Sequence, residues 1–456
     1  MRIRRPLTAV LAAAALAITA GCSSGGGGGG GGTSGPTTIN WWTWDPNQAQ
    51  AYQLCANAFE KANPGVTVKI SQYDVYDYFT KLTAGFVAGD APDAFQNSVQ
   101  YFQAFASQHQ LMPLNSLISQ SHFNLSQYST GASEWEYTDG KQYALPMDWA
   151  TAGVYYNKAM LAKAGYTTQE ADSLTWNPQN GGSLGKMIAR LTIDKNGVRG
   201  DQPGFNKSQV KVYGIGVMNS GDFIGQSSWS PLVSTLGWQL GNTTMWPTQF
   251  NYNDPRFVET MNWVRSLSDK GYAPPFGAFT SGSGQATVSD YALEGAGKVA
   301  LTVGGSWEAA TFAKLPGVQV GIAPTPMGPD GKRAVISNSN GNNIWAGTKN
   351  PQLTWKWVSY QESQQCQTMA GKTGTLFPSI SASMDATSTA LAGKGVDLST
   401  WTQALKDGEV HPAEVYVNGA AMQEAEQPLL EAFFSGQRND DVFAQMQQKS
   451  EQILTG

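Results

Sequence analysis

Residues 37–72 read TTINWWTWDPNQAQAYQLCANAFEKANPGVTVKISQ. The first seven of these residues are mostly β-branched or aromatic, which predicts a strand. Tyr52, Cys55 and Phe59 then follow at helical spacing, which predicts a helix over about 48–62 that ends at the Asn-Pro-Gly turn. The β-branched run VTVKI after that turn predicts a second strand. A strand, a helix and a strand in this order are typical of an α/β domain with a largely parallel sheet.

The same alternation of strands and helices continues along the chain. The pattern predicts a helix over 77–88, a third strand that begins at Ala94 and, further along the chain, a helix over about 352–369. Ligands of such sheets bind outside the carboxyl ends of the strands. We therefore expect binding residues in the loops that follow strands, at 44–45 after the first strand and at 96–100 after the third.

The first 21 residues predict a cleaved signal peptide. Arg2, Arg4 and Arg5 form a positive start, and an apolar stretch follows from Leu7 to Ile18. That stretch is too short to span a bilayer, which needs about 20 apolar residues. The Arg4-Arg5 pair leaves export by the general or the twin-arginine route open.

Cys22 follows Thr-Ala-Gly, an ending that resembles the lipobox of bacterial lipoproteins, although Thr19 stands where that family prefers leucine. The resemblance implies that Cys22 carries the lipid, and ordinary signal-peptidase cleavage is the alternative. Residues 22–36 contain eight consecutive glycines, Gly25 to Gly32. Such a segment cannot fold and spans roughly 20 Å, which suits a tether to a membrane.

Composition limits what the rest of the chain can do. Some 420 residues after the tether exceed what one core usually serves, so two domains are expected. Removing residues 1–21 deletes three arginines and changes the net charge from −5 to −8. An acidic chain with no basic cluster argues against a nucleic acid partner. His109, His122 and His411 show no metal-ligand spacing, so we expect neither a metal nor another cofactor.

Two cysteines remain beside Cys22, and their state is open. Cys55 lies on the apolar face of the predicted helix, where a buried thiol is the simpler interpretation. Export to an oxidising compartment also permits a disulfide to Cys366. The spacing does not decide between the two.

Six further motifs occur in the order found in one protein family. They are NPGV at 63–66, GDAPD at 89–93, YALP followed by YYNK within 143–158, VALTVGGSW at 299–307, Asn340-Gly341 before the helix at 355–360, and TGTLFPS at 373–379. With these motifs the mature chain resembles the extracellular solute-binding proteins that deliver sugars to bacterial ABC importers.

The resemblance implies an α/β fold of the two-lobe, type II periplasmic-binding-protein class. The N-terminal lobe would comprise residues 37–148 and about 336–362. The C-terminal lobe would comprise residues 149–335 and about 363–456. A hinge would join the lobes, and the ligand would bind in the cleft between them and close it.

Sugars offer apolar ring faces to aromatic side chains and hydroxyl groups to amides and carboxylates. Fifteen tryptophans is a high count for this length. Asp222 has an alternative role as a helix cap, and Asn97 as a turn residue. The predicted ligand-binding residues are Trp44, Asp45, Asn97, Asp148, Trp149, Asp222, Trp229, Trp307 and Asn340.

The predicted function is capture of a carbohydrate, an oligosaccharide because of the many tryptophans, for a membrane permease. The protein would be a lipid-anchored monomer on the extracellular face of the cytoplasmic membrane. The alternative is the same receptor with a non-sugar solute, such as a polyamine or a peptide. A glycoside hydrolase would need two carboxylates beside one bond. Nothing beyond the scattered Asp45, Asp148 and Asp222 suggests one, so we predict no enzyme and no catalytic residue.

Overall fold

The computed structural model of the protein describes residues 37–128, 133–218, 224–279 and 290–455. The predicted signal peptide, the lipidation site Cys22 and the tether lie outside these residues. The predicted ligand-binding residue Asp222 also lies outside them.

The described residues form twelve strands. They are β1 Thr37–Thr43, β2 Val66–Gln72, β3 Ala94–Ser98, β4 Ala144–Ala150, β5 Ala152–Asn157, β6 Ile193–Asp194, β7 Val210–Val212, β8 Leu301–Gly305, β9 Val320–Ala323, β10 Val335–Ile344, β11 Phe377–Pro378 and β12 Val410–Pro412.

Seventeen α-helices and several short 3₁₀ turns connect these strands in the described part. The helices are α1 Pro46–Ala62, α2 Val75–Ala88, α3 Val99–Ser107, α4 Asn115–Gln120, α5 Lys158–Lys163, α6 Thr168–Asp172, α7 Gly182–Leu191, α8 Ser230–Val233, α9 Pro255–Asp269, α10 Asp290–Gly295, α11 Ala309–Phe312, α12 Pro351–Gln361, α13 Gln364–Gly371, α14 Ser381–Ala392, α15 Ser399–Lys406, α16 Gly419–Phe434 and α17 Asp441–Thr455.

The larger sheet belongs to the first lobe and has the strand order β11-β4-β10-β3-β1-β2, with β12 paired to β10. Strand β1 runs parallel to β2 and β3. Strand β10 lies antiparallel between β3 and β4, so the sheet is parallel on one side only. The chain leaves this lobe after β4 and returns to it through β10.

The second lobe contains the antiparallel sheet β8-β5-β9 and the short pair β6-β7. Only Thr151 separates β4 from β5, so the chain passes from one sheet directly into the other. The Thr151 hydroxyl donates to the carbonyl oxygen of Ile336 at 3.0 Å, on the second connection between the lobes. The two connections are therefore hydrogen-bonded to each other.

Helix α1 shows how local sequence determines its ends. The Asp45 side chain accepts from the backbone N–H groups of Asn47 and Gln48, and Pro46 occupies the first turn. The helix ends at Ala62, and Gly65 takes a φ of +85° that favours glycine. The C-terminal end agrees with the Asn-Pro-Gly turn predicted from the sequence, and the helix begins two residues before the predicted start near residue 48.

Each face of the larger sheet has its own core. Trp41, Tyr52 and Trp357 are buried on the face covered by α1, α12 and α13. Phe95 and Phe102 are buried among the side chains of α2 and α3. The second lobe has a separate core, which includes residues of α7, α9, α16 and α17.

One predicted helix is divided in the structure. The apolar pattern predicted a continuous helix over about 352–369, whereas α12 ends at Gln361 and α13 begins at Gln364. The side chain of Ser363 accepts from the N–H of Cys366 and caps the second helix. Both helices pack against α1.

A disulfide joins Cys55 of α1 to Cys366 of α13, and the two Cα atoms are 5.4 Å apart. Both residues are fully buried. The structure thereby decides the question that the spacing left open. The cross-link spans 311 positions of the chain, so it restricts the unfolded state strongly.

The carboxyl group of Glu426, on α16, is buried in the second lobe. It accepts hydrogen bonds from the hydroxyl of Tyr252 at 2.7 Å and from the hydroxyl of Ser450. Burial raises its pKa to about 7, and the two hydrogen bonds limit the rise. The folded protein therefore favours the protonated form of this group.

Replacing both Cys55 and Cys366 with alanine should lower the free energy of unfolding by about 2–5 kcal/mol, because the unfolded chain gains freedom. Urea denaturation of the oxidised proteins measures the difference. A reducing agent should destabilise the wild type and leave the double variant unchanged. Equal midpoints for both oxidised proteins would mean that the disulfide does not form.

The buried carboxyl of Glu426 should make stability depend on pH. Its pKa is raised in the folded state, so its contribution is greatest below about pH 4.5 and is lost as the pH rises through about 7. Glu426→Gln should remove this loss, which is on the order of 3 kcal/mol. Urea denaturation of both proteins at pH 4.5 and 7.5 tests this, and parallel pH curves would contradict it.

Candidate functional site

A cleft of about 480 Å³ opens where β1 and β3 end, and α16 borders it. Helix α16 packs on the core of the second lobe through Met422, Leu430 and Phe433, so residues of both lobes line the cleft. The lining residues are Trp44, Val75, Phe79, Ser98, Gln100, Tyr101, Asn338, Asn340, Gln423, Glu424 and Gln427.

One wall of the cleft is aromatic. The rings of Phe79 and Tyr101 stack 3.7 Å apart with an angle of 8° between them. Trp44 packs against Phe79 at 5.5 Å and edge-on against Tyr78 at 5.2 Å. The three lining rings, those of Trp44, Phe79 and Tyr101, are half-buried, so each supports the others and still offers apolar surface to a ligand.

The other wall carries carboxamides. Asn338 and Asn340 are alternate residues of β10, and Gln423 and Gln427 are one turn apart on α16. The Gln423 Nε2 donates to the Gln427 Oε1 at 3.4 Å. A carboxamide both donates and accepts, so this wall can match hydroxyl groups of either orientation.

Glu424 is the one carboxylate among the described residues that line the cleft, and none of those residues is lysine, arginine or histidine. Its side chain is exposed. The cleft therefore has a nearly neutral lining with one negative group at its α16 side.

Asp148 lies beneath this lining and is 2% exposed. Its carboxylate accepts from the backbone N–H of Asn340 and from the Nε2 of Gln48, each at 3.1 Å. Burial raises the pKa of Asp148 to about 6, although these hydrogen bonds oppose the rise. The predicted residue Asp148 thus holds Asn340 in place and does not itself line the cleft.

Asp45 also acts below the cleft. Its carboxylate accepts from the N–H of Asn47 at 2.7 Å and from that of Gln48 at 3.0 Å. Gln48 in turn accepts from the Nε2 of Gln96 at 2.9 Å and donates to Asp148. The helix cap, the amides and the buried carboxylate form one network under Trp44 and Asn340.

Two predicted tryptophans are buried in cores. Trp149 is 1% exposed and packs against Phe377 at 5.3 Å, because side chains alternate along β4 and Asp148 takes the other face. Trp229 is also 1% exposed, and it packs against Phe257 at 5.2 Å. Neither ring lines the cleft.

The predicted binding residues Trp307 and Asn97 do not line this cleft. Trp307 follows β8 and is half-buried, with its ring over Gly305, and it is not among the residues that line the cleft. Asn97 was expected in a loop, but β3 continues to Ser98 and buries Asn97 fully. Alternation along the strand places Ser98 at the cleft in its stead.

Sequence reasoning missed most of the lining. The polar run SNSNGNN at 337–343 in a central strand was a usable signal, since amide side chains in a buried strand need hydrogen-bond partners. Phe79 and Tyr101 belong to amphipathic helices and show no such signal. Gln423 and Gln427 come from a helix more than 300 positions away from them.

A larger cavity of about 790 Å³ lies in the second lobe between β9 and α15. Its lining mixes the cations Lys158 and Arg333 with several carboxylates, and Arg333 pairs with Glu409 at 3.8 Å. We select the cleft as the candidate site because the cleft combines stacked aromatic rings with convergent amides from both lobes.

In the described part of the chain, no three histidine, cysteine, aspartate or glutamate side chains are grouped so that they could hold a metal ion. Among the same residues, no helix combines the length and the apolar character needed to cross a membrane.

The chain is similar to the maltodextrin-binding protein MdxE of Bacillus subtilis. The two are 25% identical over 305 residues, which cover 66% of this chain and 64% of the relative, slightly less than two thirds of its length.

Solved structures share the fold. A substrate-binding protein of Listeria monocytogenes in complex with cycloalternan superposes with a TM-score of 0.77 at 19% identity, over 92% of this chain and 99% of that one. Mycobacterium tuberculosis UspC superposes with a TM-score of 0.70 at 23% identity, over 91% and 100%. The sequence model of the bacterial extracellular solute-binding proteins matches residues 55–396. The chain belongs to this family of bacterial extracellular solute-binding proteins.

Proposed function

We propose that the protein captures an oligosaccharide and delivers it to the permease of an ABC importer. The observation that carries this proposal is the cleft, in which the ring of Trp44 and the stacked rings of Phe79 and Tyr101 are combined with five carboxamides. This combination suits a molecule with apolar faces and a rim of hydroxyl groups.

A sugar ring has this shape. Its axial C–H groups pack on aromatic rings, and its hydroxyl groups exchange paired hydrogen bonds with amides. The nearly neutral lining fits an uncharged ligand, since only Glu424 could balance a positive charge. A polyamine would need several carboxylates in contact with it, and for this reason we prefer the sugar to the cationic alternative.

The relatives support the same class of ligand. The Bacillus subtilis relative is named for maltodextrin, and the Listeria monocytogenes structure holds cycloalternan. Both are carbohydrates of several units.

The lobes would close on the ligand by a hinge motion at the connections near Thr151 and Ile336. The first lobe would comprise residues 37–148 and the return near 336–362, together with α13 and β11, and the second lobe most of the remainder. Trp44 contacts the ligand from the first lobe and Gln423 from the second. Only contacts made by both lobes at once favour the closed form.

We infer that the protein is a receptor and not an enzyme. Asp45 is engaged as a helix cap, and Asp148 is buried under the strand. Hydrolysis of a glycosidic bond needs two carboxyl groups beside that bond, whereas the lining of the cleft offers Glu424 alone. A receptor needs no catalytic group and no cofactor.

The N-terminal sequence supports a place at the membrane. We propose that Cys22 carries a lipid and that the glycine-rich segment to residue 36 lets a monomeric receptor move above the membrane surface. The receptor would then act on the extracellular face of the cytoplasmic membrane, next to its permease.

A thermal-shift screen of residues 37–456 should identify the ligand class. The panel contains malto-, manno- and cello-oligosaccharides, polyamines, peptides and amino acids. A ligand that binds only the folded state raises the free energy of unfolding by about 2.7 kcal/mol when its concentration is a hundred times its Kd. We expect a shift from one oligosaccharide series. A shift from a polyamine or a peptide alone would keep the receptor and exclude the sugar.

Trp44→Ala should weaken binding of that sugar by about 1–4 kcal/mol, because a stacking surface is lost at the cleft. Trp345→Ala is the matched control, since Trp345 is also half-buried but follows the far end of β10. Titration calorimetry measures both. Equal affinities would show that the ring of Trp44 only packs within its lobe.

Trp307→Ala tests the tryptophan that the sequence favoured and the cleft does not include. A loss of about 1–4 kcal/mol in binding would place Trp307 on the ligand of a closed form. Unchanged affinity would limit its role to packing on Gly305.

A further inference from the structure

Four buried polar side chains form a hydrogen-bonded chain beneath the cleft. The hydroxyl of Thr43 donates to the Oε1 of Gln96, whose Nε2 donates to the Oε1 of Gln48 at 2.9 Å. The Nε2 of Gln48 in turn donates to the Oδ2 of Asp148 at 3.1 Å. Each of the four residues is at most 4% exposed. We call these four residues the relay, and it joins the end of β1 to β4 through β3 and α1.

The relay has one direction. Every donor in it points towards Asp148, and the second carboxylate oxygen of Asp148 accepts from the backbone N–H of Asn340 at 3.1 Å. An ionised carboxyl group suits this position because it only accepts hydrogen bonds. Within the ranges that the structure describes, no lysine, arginine or histidine forms an ion pair with Asp148. Hydrogen bonds from Gln48 and Asn340 therefore stabilise its negative charge.

Both ends of the relay adjoin residues that line the cleft. Thr43 directly precedes Trp44, and its Oγ1 accepts from the backbone N–H of Asp45 at 3.3 Å. At the other end, Asp148 holds Asn340, which belongs to the carboxamide wall. The relay thus connects the aromatic wall with the carboxamide wall through the interior of the first lobe.

Protonation of Asp148 would reverse the relay. A neutral carboxyl group must also donate, but the groups that face its oxygens, the Nε2 of Gln48 and the N–H of Asn340, are both donors. The added proton finds an acceptor only if the amide of Gln48 turns over, and the amide of Gln96 must then turn over as well. The Nε2 of Gln96 would face the hydroxyl of Thr43, which would have to accept where it now donates. One proton therefore changes hydrogen bonds as far as the end of β1.

The other titratable groups around Asp148 supply no positive charge. Asp45 and Tyr52 face it from the start and the middle of α1, and Glu362 faces it from the turn between α12 and α13. The neighbouring strands β10 and β11 place no titratable side chain at the positions paired with it. The relay is thus the part of these surroundings that responds to its charge.

The charge of Asp148 changes in a range that an experiment can reach. Burial raises the pKa of its carboxyl to about 6, hydrogen bonds from Asn340 and Gln48 oppose the rise, and the charge of Asp45 adds to it. The forward direction of the relay is therefore complete above about pH 7 and is lost as the pH falls through about 6.

We propose that the relay is a positioning network controlled by one proton: with Asp148 ionised it holds Trp44 and Asn340 in the arrangement that binds the sugar, and with Asp148 protonated the protein binds the sugar more weakly. This inference rests on the proposed function. Because Asp148 is already buried, a ligand adds little desolvation, and the hydrogen bonds of the ionised form decide the sign. Asp148, Gln48 and Gln96 are positioning residues, which act through the cleft lining.

Titration calorimetry with maltotriose, mannotriose and cellotriose at pH 5, 6 and 7.5 tests the proposal, after circular dichroism has checked folding at each pH. These sugars carry no group that titrates in this range, so a change of affinity belongs to the protein. The Kd of the trisaccharide that binds should be about fivefold or more higher at pH 5 than at pH 7.5. Asp148→Asn cannot change its charge, so its Kd should vary by less than about twofold over the same range.

Three further variants separate the relay from other carboxyl groups. Gln48→Met removes the donor next to the carboxylate, which should raise the pKa of Asp148 and move the midpoint of the affinity change to higher pH. Glu134→Gln is the matched control, because Glu134 is also buried and also bonded to β10, through the hydroxyl of Ser339 at 2.6 Å. It should keep the pH dependence of the wild type. Glu424→Gln, which removes a carboxylate from the cleft lining, should keep it as well.

Several results would overturn the inference while the proposed function stands. They are a wild-type affinity that does not change with pH, a pH dependence that persists in Asp148→Asn, and one that disappears in Glu134→Gln or Glu424→Gln. Should Asp148→Asn not fold, an unchanged midpoint in Gln48→Met has the same meaning. Binding of none of the three trisaccharides at any pH would reject the proposed function, and the inference with it.

Discussion

The insertion of β10 between β3 and β4 is the constraint on which the rest of the structure depends. The chain enters this strand from the second lobe, pairs antiparallel with both neighbours and also carries β12 at its start. One face of the strand consequently presents Asn338 and Asn340 to the cleft. The next residue on this face, Asn342, is buried below the cleft. A slip of one residue in the register would turn all of these side chains to the opposite face.

Buried polar groups hold this strand in its register. Asn342 accepts from the indole N–H of Trp41 at 3.0 Å and donates to Glu362 at 3.0 Å. Burial raises the pKa of Glu362 well above its usual value, and hydrogen bonds from Gln367 and Asn342 oppose that rise. Asp148 fixes the backbone of Asn340 in the same way. Burying such groups costs desolvation free energy. They find all of their hydrogen-bond partners in one register only, so they favour a single arrangement of the cleft floor.

Local sequence was sufficient for the first strand and the first helix of the first lobe. The spacing of Tyr52, Cys55 and Phe59 and the Asn-Pro-Gly end identified helix α1, and strand β1 was predicted at the bounds it has, Thr37–Thr43. The separation of α12 from α13 was missed because apolar spacing continues through Ser363 and only the cap interrupts it. The position of a predicted site residue relative to a strand decided whether it lines the cleft. Trp44 directly follows a strand and lies at the cleft, whereas Trp149 and Asn97 sit within strands, where alternation turned them into the interior.

The amino-acid sequence alone assigned the α/β class and the family, because turns, periodicities and ordered motifs are local features of the chain. It also determined the expectation of aromatic and amide groups at a ligand site. Only the tertiary structure decided which of them converge. The pairing of Cys55 with Cys366 and the position of α16 beside Tyr101 join residues that are distant along the chain. Contacts of this kind arise from packing of whole elements, and no local pattern encodes them.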